Sequence, residues 1–400
     1  MLAAIAFGLF SIGACSVLFG FVMHACVRRV LGRRPALEHT PPISVLKPLK
    51  GVDADLYENL ASLARQDYPA FELVLGTEDT MDPALAVARK LQRDFPEVRI
   101  RIVAGRAAAG YNPKVANLVQ LARVAAHDHI LVSDADVRVD PSYLRHLSSE
   151  LADPEVGLVS SVIANVGERT LGASFDALQM NAFVAQAVCS AEVLAGHPCV
   201  VGKSMLLRKS QLARLGGFDA VKDVLAEDYV LGQLYHRAGY RVALSGHPVR
   251  SVAPNRPFSS FFDRHVRWAQ MRRFVSPWHH IGEPLLHPTP WFIGASALAL
   301  SFEQGNRLGA TVALLSVALL AARGVSDALL SLRLRGEAPA LEDLALGPPK
   351  DLVITFAWLL SLVKTTVVWR GNVMQIGAGS VLSPAVSSRS GRRPARSEAH

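Results

Sequence analysis

The chain has 400 residues, half of them hydrophobic, with a mean hydropathy of +0.25, a formal charge of +8 and a pI of about 9.5. This length predicts two or three domains. A basic chain could bind nucleic acid, but no nucleic-acid-binding module is recognisable, so attraction of the basic segments to a membrane is the simpler explanation. The four cysteines show neither zinc-site spacing nor a disulfide framework, which favours a reducing, cytosolic main domain.

The first apolar segment, residues 2–27, is long enough to span a bilayer. Four arginines follow it directly, between residues 28 and 34, and the positive-inside rule then places this flank in the cytoplasm. A cleaved signal peptide, the alternative, would have a basic start and a shorter apolar core. We therefore expect an uncleaved transmembrane anchor over residues 1–30.

Residues 40–285 alternate short apolar runs with helical patterns, at intervals of roughly thirty residues. Several helical patterns start with an Asp or Asn cap followed by proline, as at Asp82–Pro83, Asn112–Pro113 and Asp140–Pro141, which is a strong helix-start signal. Strands alternating with helices at this spacing predict βαβ units and a parallel sheet, hence an α/β domain. The four apolar runs begin at Ile43, Phe71, Val98 and His129.

A second apolar zone, residues 286–370, predicts further membrane segments near the C-terminus. Residues 290–302 and 308–322 form the pattern of a helical hairpin, and residues 352–368 form a third apolar segment. The final stretch, residues 371–400, is basic and polar, and we expect it to be a disordered tail.

Charged residues follow the predicted strands at the ends where ligands of parallel sheets bind. A mixture of acids and lysines at one sheet edge suits a nucleotide diphosphate with its divalent metal ion. Asp134 and Asp136 are two residues apart in an extended segment, so both can face one ion. The alternative is a solvated loop that carries ordinary turn acids. The charged and polar residues that follow the predicted strands are Lys47, Lys50, Glu78, Asp79, Ser133, Asp134 and Asp136.

Two further motifs lie downstream. Glu227 and Asp228 open a helical pattern, where acids are also favoured by the helix dipole alone. Arg264, Arg267 and Trp268 have the spacing R-x-x-R-W and share one helix face. A basic helix at a membrane surface would show the same pattern, so neither motif identifies a site by itself.

In this order, the motifs D, D-x-D, E-D and R-x-x-R-W resemble those of glycosyltransferase families 2 and 21. In particular the chain resembles ceramide glucosyltransferase and its bacterial relatives, including glycosyltransferases associated with hopanoid biosynthesis. The resemblance covers about residues 1–370 and implies a GT-A type nucleotide-diphospho-sugar transferase fold. That fold is a mostly parallel sheet between helices, here with an N-terminal anchor and C-terminal transmembrane or interfacial helices. The stretches that carry it include "SVLKPLKG", "YNPKVANL", "VSDADVRVD", "LAEDYVLG" and "RHVRWAQMRR".

The resemblance also implies how a UDP-sugar would be held. Lys114 would lie near the diphosphate, which Asp134 and Asp136 would bind together with Mg²⁺ or Mn²⁺. The side chains of the R-x-x-R-W motif, Arg264, Arg267 and Trp268, would close over the diphosphate. The uridine would be held by residues that follow the first and second strands, namely Lys47, Pro48, Lys50, Gly51 and Asp79.

In this family, Asp228 would be the base that takes the acceptor's hydroxyl proton, with Glu227 beside it. Two adjacent acids can raise each other's pKa, which helps a base to work near neutral pH. The family reaction is a direct displacement with inversion, so the protein supplies no nucleophile.

The expected function is transfer of one glucose or N-acetylglucosamine from a UDP-sugar to a lipid hydroxyl of the ceramide or bacteriohopanetetrol type. The lipid bilayer is then a partner, and a bacterial inner membrane with a cytoplasmic catalytic domain is the expected location. A processive polysaccharide synthase is one alternative, although such synthases usually carry Gln at the position of Arg264. A non-catalytic membrane binding protein with the same fold is the other.

Overall fold

A computed structural model describes residues 1–34, 38–105, 110–197, 199–301, 306–369 and 372–385. The strands are β1 Ile43–Pro48, β2 Phe71–Thr77, β3 Arg99–Ala104, β4 His129–Ser133, β5 Val137–Arg138, β6 Val156–Val166, β7 Ser204–Arg208, β8 Arg241–Val252, β9 Thr366–Trp369, β10 Asn372–Ile376 and β11 Leu382–Pro384. The helices are α1 Leu2–Leu31, α2 Leu56–Ala64, α3 Ala84–Asp94, α4 Pro113–Val124, α5 Tyr143–Ser149, α6 Leu171–Leu178, α7 Ala185–Ala195, α8 Lys209–Arg214, α9 Glu227–Arg237, α10 Phe258–Val275, α11 Pro277–Gly282, α12 Pro288–Leu300, α13 Asn306–Arg335, α14 Leu341–Ala345 and α15 Gly347–Val363. A π-helical turn, Gln179–Val184, joins α6 to α7.

Eight strands form one mixed sheet in the order β3-β2-β1-β4-β7-β6-β8-β5. The four strands expected from the apolar runs are β1 to β4, which pair in parallel and begin within one residue of the predicted positions. The mostly parallel sheet between helices is thereby confirmed. β7 runs antiparallel to both of its neighbours, β4 and β6, so its first residues lie beside the carboxyl end of β4.

Both faces of the sheet are covered by apolar side chains. Ile43 and Val45 of β1 pack into the core on the side of α2, α3 and α5, whereas Leu46 packs into the core on the side of α4 and α9. Alternate residues of a strand point to opposite faces, so a strand buried on both sides must be apolar along its length. This explains why the early strands appear in the sequence as continuous apolar runs.

The predicted helix starts are correct in one case and early in two. Asn112 caps α4 by accepting from Val115 N at 3.1 Å, and Pro113 is the first helical residue. α3 begins after Pro83, where Asp82 accepts from Ala84 N at 2.9 Å, and α5 begins only at Tyr143. At α3 the acid still satisfies an N–H of the first turn, which is what a capping residue does.

In the part of the chain that the structure describes, three helices are long and apolar enough to cross a membrane: α1, residues 171–195 and residues 307–335. The middle one, formed by α6, the π-turn and α7, is largely enclosed by the rest of the protein, whereas α1 and α13 expose most of their apolar surface. α12 has only 13 residues and packs against α1 and α13. These features indicate a membrane protein whose bundle contains α1, α12 and α13.

The structure corrects the predicted C-terminal segments. The third apolar segment was expected over residues 352–368, but α15 ends at Val363 and β9 begins at Thr366, because Lys364 is followed by Thr-Thr-Val-Val, a β-branched run that favours a strand. The tail was expected to be disordered from residue 371, yet residues 372–384 contain β10 and β11. The rest of that tail, residues 386–400, lies outside the described residues.

The small sheet β9–β10–β11 packs on the main domain. Leu225 N donates to the carbonyl of Ser380 at 2.9 Å, Ala226 N donates to Ser380 Oγ at 3.1 Å, and Leu382 N donates to the carbonyl of Asp223 at 2.7 Å. Gln270 of α10 donates to two carbonyls at the start of β9. The domain predicted to end at residue 285 is therefore completed by residues that follow the membrane helices.

Candidate active site

A cavity of about 320 Å³ opens at the carboxyl ends of β1 and β4, where the sequence predicted a ligand site. Among the described residues, its lining contains five acids and six bases in a small space. Such a density of both charges suits a ligand that carries phosphate groups and a metal ion. The acids are Asp53, Asp134, Asp136, Glu227 and Asp228, and the bases are Lys50, Lys114, Lys203, Arg256, Arg264 and Arg267.

Lys114 links the D-x-D motif to the E-D motif. Its ammonium lies 2.8 Å from Asp134 Oδ1 and 3.0 Å from Glu227 Oε1, and its side chain is 9% exposed. Burial by itself lowers the pKa of Lys114, but the carboxylates of Asp134, Glu227 and Asp228 outweigh burial and raise it above its ordinary value. Lys114 is therefore a permanent cation within the cavity wall.

Asp136 is held by Lys203, the residue that directly precedes β7. Lys203 Nζ donates to both carboxylate oxygens of Asp136, at 2.6 and 2.5 Å. Burial favours a raised pKa for Asp136, but Lys203, Arg264 and Arg256 together hold that pKa below its usual value. Asp134 and Asp136 thus line one cavity as expected, each with its own lysine.

Lys47 lies beneath the D-x-D segment, outside the cavity lining. It is fully buried and donates to Ser133 Oγ at 3.1 Å and to the backbone carbonyl of Asp134. Burial lowers the pKa of Lys47 to about 7, although nearby aspartates oppose this. Its contacts hold the D-x-D segment from below, while Pro48 and Lys50 do line the cavity.

Two other residues predicted to hold uridine also lie outside the lining. Asp79 is exposed, and its Oδ1 accepts from Met81 N at 2.9 Å, within the turn after β2. Gly51 has a φ of +67°, and its N–H donates to the Asp82 carboxylate at 2.9 Å. The structure therefore brings these two turns together at one end of the cavity, and contact with uridine stays a prediction.

Asp228 lies in the first turn of α9, on the cavity wall. Its Oδ2 accepts from Gly202 N at 2.6 Å, and its Oδ1 accepts from Tyr229 N at 2.8 Å. Burial, reinforced by the Glu227 carboxylate, raises the pKa of Asp228 to about 6, although Lys114 and the two backbone donors act in the opposite direction. A carboxylate with this pKa can accept a proton near neutral pH.

We expect Gly202→Ala to reduce turnover by up to about 10²-fold, the loss that a misplacement of about 1 Å can cause. A Cβ at residue 202 would lie 2.8 Å from Asp228 Oδ2, so the carboxylate would have to move. The check is kcat together with the melting temperature. Gly282→Ala is the matched control because no heavy atom lies within 4 Å of its added Cβ. Unchanged turnover in Gly202→Ala would contradict a need for this position of Asp228.

The R-x-x-R-W motif lies on α10, and all three of its side chains line the cavity. The guanidinium carbon of Arg264 lies 4.1 Å from the centre of the Trp268 ring, a cation–π contact. Arg264 Nη1 also donates to Asp176 Oδ2 at 2.8 Å, so its position is fixed from two sides. A basic helix that only lies on a membrane surface would not direct these three side chains into a cavity.

The residues fit a divalent metal ion bound with a diphosphate. Within the described ranges, no three acidic, histidine or cysteine side chains come together as a complete metal cage. Asp134 and Asp136 both present carboxylate oxygens to the same cavity. Mg²⁺ usually binds one or two carboxylates beside phosphate oxygens and water, so these two are sufficient. A metal site shared between protein and substrate is what this donor set supports.

Sequence reasoning missed Lys203, Arg256, Asp176 and Asp53. Lys203 lies at a sheet edge, as Lys50 does, but its strand is antiparallel and its position depends on pairing with β4. Asp176 lies within an apolar helix, where an isolated acid is the one signal that could have identified it.

The comparison with protein families decides the class. The family model described as "Glycosyl transferase family 21" matches residues 8–382 of this chain. The chain belongs to glycosyl transferase family 21. This glycosyltransferase is 25% identical over 348 residues to Ceramide glucosyltransferase 3 of Caenorhabditis elegans, covering 86% of the chain and 74% of that relative. It is 29% identical to Ceramide glucosyltransferase 1 of the same organism, over 61% of the chain and 53% of that relative.

A ceramide glucosyltransferase of Komagataella phaffii is 30% identical, over 46% of the chain and 42% of that relative. Among solved structures, a mannosyltransferase from Pyrobaculum calidifontis in complex with GDP-Man and Mn²⁺ aligns with a TM-score of 0.54 at 20% identity, covering 91% of this chain and 99% of that one. At this identity the likeness concerns the fold, and it confirms the GT-A type fold of the family 21 enzyme.

Proposed function

We propose that this enzyme transfers one glucose or N-acetylglucosamine from a UDP-sugar to the hydroxyl of a membrane lipid, with inversion at the sugar carbon. The observation that carries the proposal is Asp228: a carboxylate with a raised pKa faces a cavity whose other walls carry six cations. A base on one side and a cationic cradle on the other are the two parts that direct displacement at a sugar diphosphate requires.

Asp228 is the base in this proposal because Glu227 is already engaged. Glu227 Oε1 is ion-paired with Lys114 at 3.0 Å and its Oε2 lies 3.4 Å from Asn112 Nδ2, so both of its oxygens have side-chain partners. Among the described residues Asp228 accepts from the backbone N–H groups of Gly202 and Tyr229, so its carboxylate can still take the acceptor's proton. Glu227 contributes by raising the pKa of Asp228.

The cationic walls stabilise the departing UDP. Arg264 and Arg267 can form charge-assisted hydrogen bonds with phosphate oxygens, which strengthen as negative charge develops on the leaving group. Mg²⁺ or Mn²⁺, held by Asp134 and Asp136, would supply further charge neutralisation when bound. Lys50 and Pro48 lie at the end of β1, where the uridine would be held with the help of Gly51, Asp79 and the buried Lys47.

The acceptor is a lipid in this proposal because apolar side chains adjoin the base. Val201 directly precedes Gly202, whose N–H binds Asp228, and Leu225 lies three residues before Asp228. Both line the cavity, and so does Met271 of α10. The relatives named ceramide glucosyltransferase support a ceramide-type hydroxyl, with a hopanoid such as bacteriohopanetetrol as the alternative acceptor. Arginines 28 and 29 at the end of α1 support a cytoplasmic catalytic domain, in the inner membrane if the source is bacterial.

The proposal is tested with the full chain in detergent, Mg²⁺, and labelled UDP-glucose or UDP-N-acetylglucosamine, each offered to ceramide and to bacteriohopanetetrol. We expect a single glycolipid from one donor and one acceptor, and its loss after EDTA treatment. A polymer product would instead support a processive synthase. UDP binding without transfer to either lipid would refute the acceptor class, and absence of UDP binding would refute the function.

We expect kcat/KM for the acceptor to rise with pH and to level off above about pH 6. Asp228 must be deprotonated to act as a base, and burial together with Glu227 raises its pKa to about 6. Below that value the deprotonated fraction falls about tenfold for each pH unit. The measurement is the initial rate at low acceptor concentration between pH 5 and 8. A rate that stays constant between pH 5 and 8, as expected for an exposed aspartate with a pKa near 4, would contradict Asp228 as the base.

A further inference from the structure

The buried carboxylate of Asp176 gathers two arginines at the cavity. Asp176 lies in the last turn of α6 and is 1% exposed. Its Oδ2 accepts from Arg264 Nη1 at 2.8 Å and from Asn165 Nδ2 at 2.9 Å, and it lies 3.3 Å from Arg256 Nε. The ring nitrogen Nε2 of His265 lies 3.3 Å from its other oxygen.

The cluster carries more positive than negative charge. Burial lowers the pKa of His265 to about 4 although Asp176 opposes this, so the imidazole is neutral near pH 7. One carboxylate therefore faces two guanidinium groups, those of Arg256 and Arg264. Two acids outside this cluster, Asp136 and Asp53, also attract Arg256, and Asp136 is paired with Lys203. A buried excess cation is unfavourable unless an anion accompanies it, so this cluster is suited to a negatively charged ligand.

Arg256 lines the cavity in which such a ligand would bind. It precedes α10 and lines the main cavity together with Asp136. It also lines a second cavity of about 340 Å³, and Asp53, Asp136 and Arg256 are common to both linings. The two spaces therefore adjoin at Arg256, beside the carboxylate proposed to bind the metal ion. A diphosphate bound there would lie within reach of its guanidinium.

The loop that carries Arg256 is also held through its backbone carbonyls. Thr170 Oγ1 donates to the carbonyl of Arg256 at 2.6 Å, and Arg169 N donates to the carbonyl of Pro254 at 2.9 Å. Gly172 allows the close approach, because a Cβ there would lie 2.5 Å from the Arg256 carbonyl oxygen. These contacts do not involve the guanidinium of Arg256, which contacts Asp176 through Nε and lines the cavity where a ligand would bind.

We propose that Arg256 is a further ligand of the donor's diphosphate, and that Asp176 is a positioning residue that orients Arg256 and Arg264 toward it. The inference rests on the proposed use of a UDP-sugar. Charge-assisted hydrogen bonds to phosphate are among the strong ones in proteins, and Arg can form two in parallel. Neither residue belongs to the four motifs that indicated the family.

The test compares UDP, whose diphosphate needs Arg256, with uridine, which lacks phosphate. Full-length wild type, Arg256→Ala and Asp176→Asn are measured in detergent with Mg²⁺, UDP by calorimetry and uridine by ligand-observed NMR. We expect Arg256→Ala to weaken UDP binding about 10- to 100-fold, from the loss of a charge-assisted hydrogen bond, with uridine binding unchanged. Asp176→Asn should weaken UDP binding at least as much, and Arg256→Lys should restore part of the affinity.

Arg250→Ala is the matched control, since Arg250 is an exposed arginine on β8, outside both cavity linings, and it should bind both ligands as wild type does. Wild-type UDP affinity in Arg256→Ala would overturn the inference alone. An equal loss of UDP and uridine in Arg256→Ala would also overturn it, because the role would then be structural. A wild type that does not bind UDP would overturn the proposed function and the inference with it.

Discussion

Asp228→Asn should lower kcat by about 10²- to 10⁴-fold, the usual contribution of a general base, while UDP binding stays near the wild-type value. The amide oxygen can still accept from Gly202 N, although the hydrogen bond from Tyr229 N is lost, and the amide cannot take a proton. The measurement is single-turnover transfer alongside calorimetry with UDP. Glu227→Gln separates the two acids and should lower the pKa that governs the rate instead of removing the base.

Asp219→Asn is the control for this experiment, because Asp219 is an exposed aspartate shortly before α9 and outside the cavity lining. It should turn over as wild type does. If Asp228→Asn keeps most of its activity while Glu227→Gln loses it, the roles of the two acids are reversed.

Lys114→Met should destabilise the protein by about 3–5 kcal/mol, the usual result of removing one member of a buried ion pair. Asp134 and Glu227 would both lose the cation that lies 2.8 and 3.0 Å from them, and Glu227, which is 7% exposed, would be left as a poorly solvated charge. UDP affinity should fall as well, because the cavity would lose a permanent positive charge. Thermal unfolding and UDP calorimetry measure the two effects.

The double variant Lys114→Met/Glu227→Gln tests the cause of this loss. Removing the uncompensated charge of Glu227 should recover part of the stability, since replacing both partners of a buried pair costs less than replacing one. Lys90→Met is the control: Lys90 is exposed on α3, its ammonium lies 4.4 Å from the centre of the Tyr57 ring, and no acid of the described residues forms an ion pair with it. A Lys114→Met protein as stable as wild type would show that these contacts contribute little.

The parts of the fold that the sequence predicted are those determined by local patterns. β1 to β4 were recognisable because strands buried on both faces are apolar throughout, and Asn112–Pro113 begins a helix by local geometry. The D-x-D, E-D and R-x-x-R-W motifs were found because the residues of each lie within a few positions of one another in the sequence. All of them line the cavity, as their shared chemistry suggested.

The missed residues depend on pairings between distant segments. Lys203 reaches Asp136 only because β7 runs antiparallel beside β4, and no periodicity within β7 indicates its neighbour. Asp176 and Arg256 are 80 positions apart and meet where α6 approaches the loop before α10. The C-terminal strands were missed because their alternation is short and follows an apolar helix, which made residues 352–368 look like one continuous segment.

The docking of β9–β11 on the catalytic domain restricts how the chain passes through the bilayer. Gln270 of α10 and Leu225 both contact this sheet, so the chain that leaves α10 must be back on the same side of the membrane by residue 366. We therefore expect an even number of crossings between these points, with α13 as one of them and α12, at 13 residues shorter than a usual span, as the segment that pairs with it. α15 is then expected to lie along the membrane surface, beside α10. We expect α1 to cross once, which would place the two ends of the described chain on opposite sides, and a reporter fused after residue 385 tests this.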